Sequence, residues 1–332
     1  MRSSAPPAVA LAVLLAHCAG GRPRPSAAGT APPTPVEVHG RLAVCGSRIC
    51  DQRGRPVQLR GMSLFWSNSG WGGERFYNAR VVDALADDWK ADLVRAALGV
   101  EGGGPGGNAA GEARARAVVD AAVARGLYVI VDFHTHAPLR KEAVDFFGRM
   151  ARAYRDDPNI IWEPFNEPLR VSWSDELKPY HQAVIAAIRA AGSRNLVVVG
   201  TPTWSQDVDS AALDPIATDR NVAYALHFYA GTHKQSLRDK ADFARQRGVA
   251  LFVTEWGTCD ASGDRNFDPA ESRLWTEWMD AHGISSANWS LNDKAETASA
   301  LVPGARTSGP WPDQELTESG RFAKAYLGAA RP

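Results

Sequence analysis

The chain lacks a membrane-spanning segment where one is most often found. Its N-terminal apolar run, residues 8–16, is too short to cross a bilayer as a stable helix. It also lacks any excess of charge. Lys and Arg number 37, Asp and Glu also 37, and the formal net charge is zero. Global attraction to nucleic acid or to an anionic membrane surface is therefore not expected. Cysteine is scarce, at four residues, and no Cys/His cluster has zinc spacing. His134-Thr135-His136 supplies two ligands with no third beside them, so neither a metal nor a cofactor is expected. The glycine-rich stretch 102–111 has no Gly-Lys-Ser/Thr ending and does not open directly into a helix, which excludes a phosphate cradle. No internal repeat is present.

What is there divides into three parts. Arg2 and the apolar run after it read as an export leader over residues 1–19. Leu15-Ala16-His17-Cys18 is close to a lipoprotein box, except that His17 stands where a small residue is expected. A lipid anchor at Cys18, ordinary cleavage and an uncleaved anchor all stay open. The expected location is extracellular, at the cell surface if Cys18 is acylated. Residues 20–35 are mostly Pro, Ala, Gly and Thr and read as a flexible tether. Residues 36–332 then form a single domain, expected to act as a monomer. Cys45 and Cys50 flank Gly46-Ser47-Arg48-Ile49 in a hairpin-like run. An oxidising compartment would join them as a disulfide; two buried thiols are the equal alternative. Tryptophan is over-used, at 11 against seven tyrosines, so some indoles are expected as flat platforms for sugar rings and the rest as core.

The domain alternates apolar runs with helical patterns. Strands are expected over 59–62, 93–98, 127–133, 160–165, 196–200, 222–227, 251–255 and 284–289. Helices are expected over 113–125, 141–155, 178–191, 236–247 and 273–282, with Val144, Phe147, Met150 and Ala151 sharing one face of the second. Eight strands at this spacing suggest a (β/α)8 TIM barrel, with a doubly wound sheet as the alternative. The barrel is preferred because Arg95, His134, Asn166, Glu167, His227, Tyr229, Glu255 and Trp289 all sit at or just past a strand end. In a barrel those ends converge on one face. Two of these residues, Glu167 and Glu255, each close an apolar strand. A facing pair of acids is the equipment of glycoside hydrolysis, with a proton donor about 5 Å from a nucleophile in the retaining case.

Asn166-Glu167-Pro168, His227-Phe228-Tyr229, Glu255-Trp256-Gly257, Val94-Arg95-Ala96-Ala97 and Val131-Asp132-Phe133-His134 resemble the signature segments of glycoside hydrolase family 5. Gly200-Thr201-Pro202-Thr203-Trp204-Ser205-Gln206-Asp207-Val208, Ala225-Leu226-His227-Phe228-Tyr229-Ala230-Gly231-Thr232-His233 and Ala287-Asn288-Trp289-Ser290-Leu291 resemble its bacterial-type endoglucanase (cellulase) subfamily. The resemblance spans about residues 40–328. It implies that Glu167 is the general acid/base, with a raised pKa, and Glu255 the nucleophile, held anionic by Arg95 and hydrogen-bonded by Tyr229. It further implies that Asn166 binds the 2-hydroxyl, that His227 orients Glu167 and that His134 contacts the sugar at the cleaved bond. Trp289 would stack beneath that sugar, and Trp204 would be the platform one sugar further toward the non-reducing end. Lys294 and Glu296 would bind distal hydroxyls. Relatives often carry a His in the first strand-end loop, where this chain has Phe65 and Trp66, and a Tyr where it has Leu98-Gly99. Trp66 and Trp71 are expected to supply stacking instead.

The implied activity is a secreted, retaining endo-β-1,4-glucanase acting on cellulose-like glucan. The same machinery on mannan, xyloglucan or mixed-linkage glucan would carry the same catalytic residues. A non-catalytic carbohydrate-binding barrel would be expected to have lost one acid, and both are present. A metal hydrolase on the same barrel would need ligands that are not evident.

Overall fold

The computed structural model describes Met1 and residues 32–100 and 109–330. The leader, Cys18 and most of the linker lie outside the described residues, as does much of the glycine-rich stretch. Among the described residues, no helix is long and apolar enough to cross a membrane.

Two short strands, β1 (Ala43–Cys45) and β2 (Arg48–Cys50), precede eight longer-range partners. These are β3 (Arg60–Leu64), β4 (Leu93–Gly99), β5 (Tyr128–His134), β6 (Ile160–Glu163), β7 (Val197–Val199), β8 (Val222–Tyr229), β9 (Leu251–Gly257) and β10 (Ser286–Leu291). All eight are parallel, and β10 pairs with β3 to close the barrel. The expected (β/α)8 architecture is present, and closure excludes the open doubly wound sheet. Because both faces of such strands are buried, they read as continuous apolar runs in the sequence. The period of two still sorts their side chains. Leu59, Leu93, Tyr128, Ile130, Ile161, Val198, Ala225, Phe252 and Ala287 fill the interior. Val94, Val129, Val131, Trp162, Val197, Leu226 and Val253 pack outward under the helices.

The helices are α1 (Pro35–His39), α2 (Ala79–Asp87), α3 (Ala109–Ala124), α4 (Arg140–Ala153), α5 (Lys178–Ala190), α6 (Val208–Leu213), α7 (Gln235–Gln246), α8 (Pro269–His282) and α9 (Glu318–Gly328). The five expected from the sequence are all present. On α4 the buried face is Ala143, Phe146, Phe147, Met150 and Ala151, with Val144 at its margin. α8 starts four residues earlier than expected, because Asp268 accepts from the Glu271 amide and Pro269 occupies the first helical position. Thr34 and Pro35, read as the last of the linker, instead cap and begin α1 through a reciprocal Thr34–Glu37 box.

The N-terminal end of the barrel is plugged by the β1–β2 hairpin. Leu42, Ile49 and Val57 extend the interior core downward. The Tyr128 hydroxyl donates to the Gly40 carbonyl, and the Val44 amide donates to Asn221. Cys45 and Cys50 are joined as a disulfide, with Cα atoms 6.0 Å apart, while Cys259 is a buried free thiol. The crosslink closes a loop with a sequence separation of 5 at the end of the barrel remote from the strand C-termini. In the chain-entropy account a loop this short contributes about 2 kcal/mol. The double substitution Cys45→Ala with Cys50→Ala is therefore expected to lower unfolding free energy by about that amount, while kcat below the melting transition stays at the wild-type value. Denaturant unfolding and initial rates on one preparation measure both; a fall in kcat would show that the hairpin communicates with the opposite end.

Candidate active site

The interior apolar ladder ends abruptly at the top of the barrel. Two residues beyond Leu93, Ile130, Ile161, Ala225, Phe252 and Ala287 stand Arg95, Asp132, Glu163, His227, Thr254 and Trp289, and Ser63 stands two beyond Gly61, in register with Arg95. Arg95 is fully buried at the centre of this layer. Its Nε donates to Glu163 Oε2 at 2.7 Å, Nη2 to Asn166 Oδ1 at 2.6 Å and Nη1 to Glu255 Oε2 at 3.0 Å. Nη2 also lies 2.9 Å from Asp132 Oδ2. Burial disfavours its charge, but Asp132, Glu163 and Glu255 more than compensate, and the guanidinium is held even more firmly protonated than usual.

Strand β9 breaks the period of two. Ala225 pairs with Phe252 and His227 with Glu255, so β9 carries one residue more than β8 over this interval. The same excess shows against β10, where Ser286 pairs with Val253 and Asn288 with Trp256. This bulge lets consecutive residues Thr254 and Glu255 both face the site, while Val253 and Trp256 face outward. Bulges re-aim side chains in this way beside functional centres. Glu255 receives the Tyr229 hydroxyl on Oε1 at 2.7 Å and Arg95 on Oε2.

Glu167 lies just past β6. Its amide donates to the Thr135 carbonyl, and the Ser205 hydroxyl donates to the neighbouring Asn166 carbonyl. Both carboxylate oxygens face an imidazole: Oε1 is 3.0 Å from His227 Nδ1, and Oε2 is 3.3 Å from His136 Nε2. One oxygen of Glu167, one of Glu255 and one nitrogen of His227 lie within 4.8 Å of one another. These atoms are already committed to Arg95, Tyr229 and each other. In this arrangement Glu167 meets His227, and Glu255 is held by Arg95 and Tyr229.

Proton placement differs from the sequence expectation. Burial alone would raise the Glu167 carboxyl, but the hydrogen bonds from His136 and His227 hold it down to about 2. Burial would lower His227, yet Glu163 and Glu167 raise it to about 9. Glu255 is raised, by burial and by the charge of Glu167, against His227, Arg95 and Tyr229. These contacts thus favour the ionised form of Glu167 and the protonated form of His227 in the unliganded site. The sequence reading placed a proton on Glu167 without pairing that carboxylate with a second histidine, His136.

Two cavities meet at the acid pair and share His136, Glu167, Tyr229 and Ala261. The cavity of 370 Å³ holds Glu255, Trp289, His134, Phe65, Trp66, Trp71, Lys294 and Glu296. His134 stacks on Trp289 at 5.2 Å, takes the edge of Trp66 at 4.1 Å and is held by Asp132 through Nδ1 at 2.6 Å. It is therefore both a satisfied buried histidine and part of the cleft wall. Trp66 and Trp71 pack together at 5.2 Å, and Trp71 is 48% exposed. Lys294 Nζ lies 2.6 Å from Glu296 and 5.2 Å above the Phe65 ring.

Trp204 is not in that cavity. It lines the other, of 610 Å³, with Glu167, Arg170, Thr203, Gln206 and His233. The expectation that it is the next platform beyond Trp289 is corrected: it lies on the opposite side of the acid pair. The reason is local. Thr203, Trp204 and Ser205 have φ of 58°, 56° and 56°, a left-handed turn that none of them favours. Their amides return to Leu169, Pro168 and Thr201 carbonyls, and the turn holds the indole outward at 37% exposure.

The sequence reading missed Ser63, Asp132, Glu163, Thr254 and His136 as site residues. Asp132, Glu163 and Thr254 sit two positions beyond the inward residues Ile130, Ile161 and Phe252, so for these three the strand period carried the signal. Gly99, noted as a departure, has a structural counterpart. A Cβ there would fall 1.6 Å from Asn68 Oδ1 and 2.9 Å from the Trp66 ring.

A closed parallel barrel with two acids facing each other at its polar C-terminal end, one just past β6 and one on β9, defines a glycoside hydrolase of the two-carboxylate type. A family model described as cellulase (glycosyl hydrolase family 5) matches residues 50–295. Endoglucanase Z of Dickeya dadantii is 48% identical over 300 residues, covering 88% of this chain and 66% of its own length. Endoglucanase N of Pectobacterium atrosepticum is 41% identical over 302 residues, covering 89% and 67%. Among solved structures, the catalytic domain of an endoglucanase from Thermobifida fusca is 33% identical with a TM-score of 0.84, covering 90% of this chain and 100% of that one. A variant of that domain has been solved with cellotetraose. The chain spans about two thirds of the length of the curated relatives named here. It belongs to glycosyl hydrolase family 5.

Removing the central cation tests the electrostatics. Arg95→Met leaves Asp132, Glu163 and Glu255 buried without their guanidinium, a loss of about 3–5 kcal/mol at neutral pH. Without the cation the folded-state pKa values of Asp132 and Glu255, already raised, rise further, and that of Glu163, which is lowered, rises as well. The penalty is therefore present above those folded values and shrinks as pH falls through them. Denaturant unfolding at pH 7 and pH 5 is expected to show a smaller deficit at the lower pH; equal deficits would mean that the carboxylates do not repel one another.

Proposed function

We propose that this glycoside hydrolase is an endo-β-1,4-glucanase that cleaves internal bonds of cellulose-like glucan with net retention. The observation that carries the reading is the approach of Glu167 and Glu255 to within 4.8 Å. Double displacement uses carboxyl groups about 5–5.5 Å apart, whereas inversion needs about 6.5–9.5 Å to admit a water. Glu255 is the nucleophile. It sits on a strand end, ionised by Arg95 and aimed by Tyr229, and it attacks the anomeric carbon as the glycosidic bond breaks. Glu167 passes its proton to the departing oxygen. In the second step Glu167 takes a proton from water, whose oxygen displaces Glu255 from the same carbon. Asn166 is anchored to Arg95 through Oδ1, which leaves its Nδ2 to meet the 2-hydroxyl.

The proton returns from His227 to Glu167 before donation. That transfer neutralises both partners at once, removing the Glu167 charge that raises Glu255 together with the His227 charge that lowers it, so the acid and the nucleophile titrate as a coupled set. Subsites follow from the same logic. The donor faces the leaving group, so Trp204, Arg170 and Gln206 bind the sugars that depart. Trp289, Trp66 and Trp71, with Lys294 and Glu296, bind the sugars that remain on Glu255. Cavities on both sides of the acid pair support attack on internal bonds.

Export belongs to the same proposal, supported by the leader-like N-terminus and the Cys45–Cys50 disulfide. Intact-mass analysis of secreted and membrane fractions distinguishes a soluble monomer from a chain acylated at Cys18.

The anomer first released from cellopentaose, read by NMR, tests retention: the β form is expected, and the α form would overturn it. Rates on carboxymethyl cellulose, barley glucan and galactomannan are expected to fall in that order; the highest rate on galactomannan would reassign the substrate. Glu255→Ala is expected to lose turnover, with azide restoring it on activated substrates as the inverted glycosyl azide. Trp204→Ala is expected to lower kcat/KM on cello-oligosaccharides by about 2- to 30-fold, the equivalent of about 0.5–2 kcal/mol of stacking. Aryl cellobiosides, which place no sugar on the leaving side, are expected to be unaffected. Equal losses on both would return Trp204 to the other side of the site.

A further inference from the structure

Glu163 and Thr254 touch the acid pair only through other residues, and their hydrogen bonds have a fixed direction. The Thr254 hydroxyl donates its one proton to Glu163 Oε1 at 2.6 Å. It therefore meets His227 Nε2, 2.8 Å away, as an acceptor. That leaves Nε2 as the protonated nitrogen. Nδ1, 3.0 Å from Glu167 Oε1, is then either the acceptor of a proton carried by Glu167 or the holder of that same proton. Thr254 and Glu163 are buried, so water does not offer a substitute acceptor.

We propose that Thr254 and Glu163 are positioning residues that lock His227 in its Nε2-protonated form, so that the single proton between His227 and Glu167 is always deliverable to the leaving group. This rests on the assignment of Glu167 as general acid. With the opposite tautomer, neutral His227 would donate from Nδ1, and Glu167 would be trapped as a deprotonated acceptor. The bulge in β9 is what makes this possible, because it turns Thr254 and Glu255 inward together and serves the acid and the nucleophile from consecutive residues.

Other charged groups around His227 bear on the test. Arg95 comes from β4, Asp132 and His134 from β5, and Glu163 from β6, with its Oε1 3.8 Å from His227 Nε2. Glu167 and His136 lie in the loops after β6 and β5, Tyr229 and His233 on or after β8, and Glu255 beside Thr254. Thr254→Val removes the relay without changing any of these charges and with little change in shape.

Histidine 15N NMR of the free enzyme is expected to report Nε2–H on His227 in the wild type and a shift toward Nδ1–H in Thr254→Val. The basic limb of kcat/KM is expected to move down by about one pH unit, since the imidazolium loses an acceptor backed by a carboxylate. Turnover of cellobiosides with poor leaving groups is expected to fall about tenfold or more, and that of activated aryl cellobiosides by less than about twofold, because only the former need the proton. Thr254→Ser, which keeps the hydroxyl, is expected to restore all three. Unchanged tautomer, pH profile and leaving-group dependence in Thr254→Val, or a Thr254→Ser enzyme as impaired as Thr254→Val, would overturn the proposal. If Thr254→Val does not fold, Glu163→Gln carries the same pH and leaving-group readouts. Glu167→Ala run alongside separates the two readings. If it shows no leaving-group dependence, the acid assignment fails; if it does and Thr254→Val does not, the relay alone fails.

Discussion

A guanidinium cannot shed its charge, and Arg95 is held in the barrel with no access to water. Three carboxylates surround it, from β5, β6 and β9, and one cation cannot balance three anions. Taking such charges out of water costs several kcal/mol each, and only good geometry with satisfied hydrogen bonds offsets that. The remaining imbalance is met by protons. Burial and then the charge of Glu167 raise Glu255, while Glu163 and Glu167 raise His227 against its own burial, so the histidines beside the cluster matter as much as the acids. The proton inventory of the site is thus set from beneath, by the barrel interior, before any substrate arrives. The same contacts tie four strands together across the barrel, so geometry and charge cannot be altered separately.

The second constraint is the extra residue in β9. In a regular strand Thr254 would face the interior and Glu255 would point outward with Val253, among the helices. The bulge turns Glu255 back toward Arg95 and Tyr229 while leaving Thr254 where the period of two put it. A single local irregularity therefore connects the apolar ladder below to two different tasks above. The acid pair comes to its spacing because one member sits on this bulge and the other on the loop after β6, pinned by Thr135 and Ser205.

The barrel was legible because its strands are buried on both faces and end in polar residues, a pattern that survives without any tertiary information. Glu167 and Glu255 were legible for the same reason. The deeper layer was not, because Asp132 and Glu163 lie inside the apolar runs, where a strand-end argument does not look. Trp204 was found as a residue but placed on the wrong side. Its direction comes from three consecutive left-handed residues without glycine, and no sequence pattern announces that geometry. The second histidine beside Glu167, His136, reaches it from a different loop, a contact with no trace in sequence spacing. The short helices α1 and α6 rest on caps and packing too local to show a period, whereas α2 has Val81, Val82 and Leu85 at helical spacing after Asn78 and was open to reading.

The outer cleft follows a different rule from the centre. Gly99 leaves the space a Cβ would take, and that space is filled by Asn68 and Trp66. Trp66 in turn packs on Trp71, His134 and His136. The loop that carries Trp71 is braced by Glu74 on the Gly70 amide and by Arg75 on Asp293, next to Lys294. No one of these residues can change size without displacing another, so the wall beyond Trp289 varies as a block. His134 joins that block to the centre, since it packs on Trp66 on one side and is bonded to Asp132, a partner of Arg95, on the other. The aromatic wall and the charge cluster are therefore coupled through one imidazole, and the position of that ring answers to both.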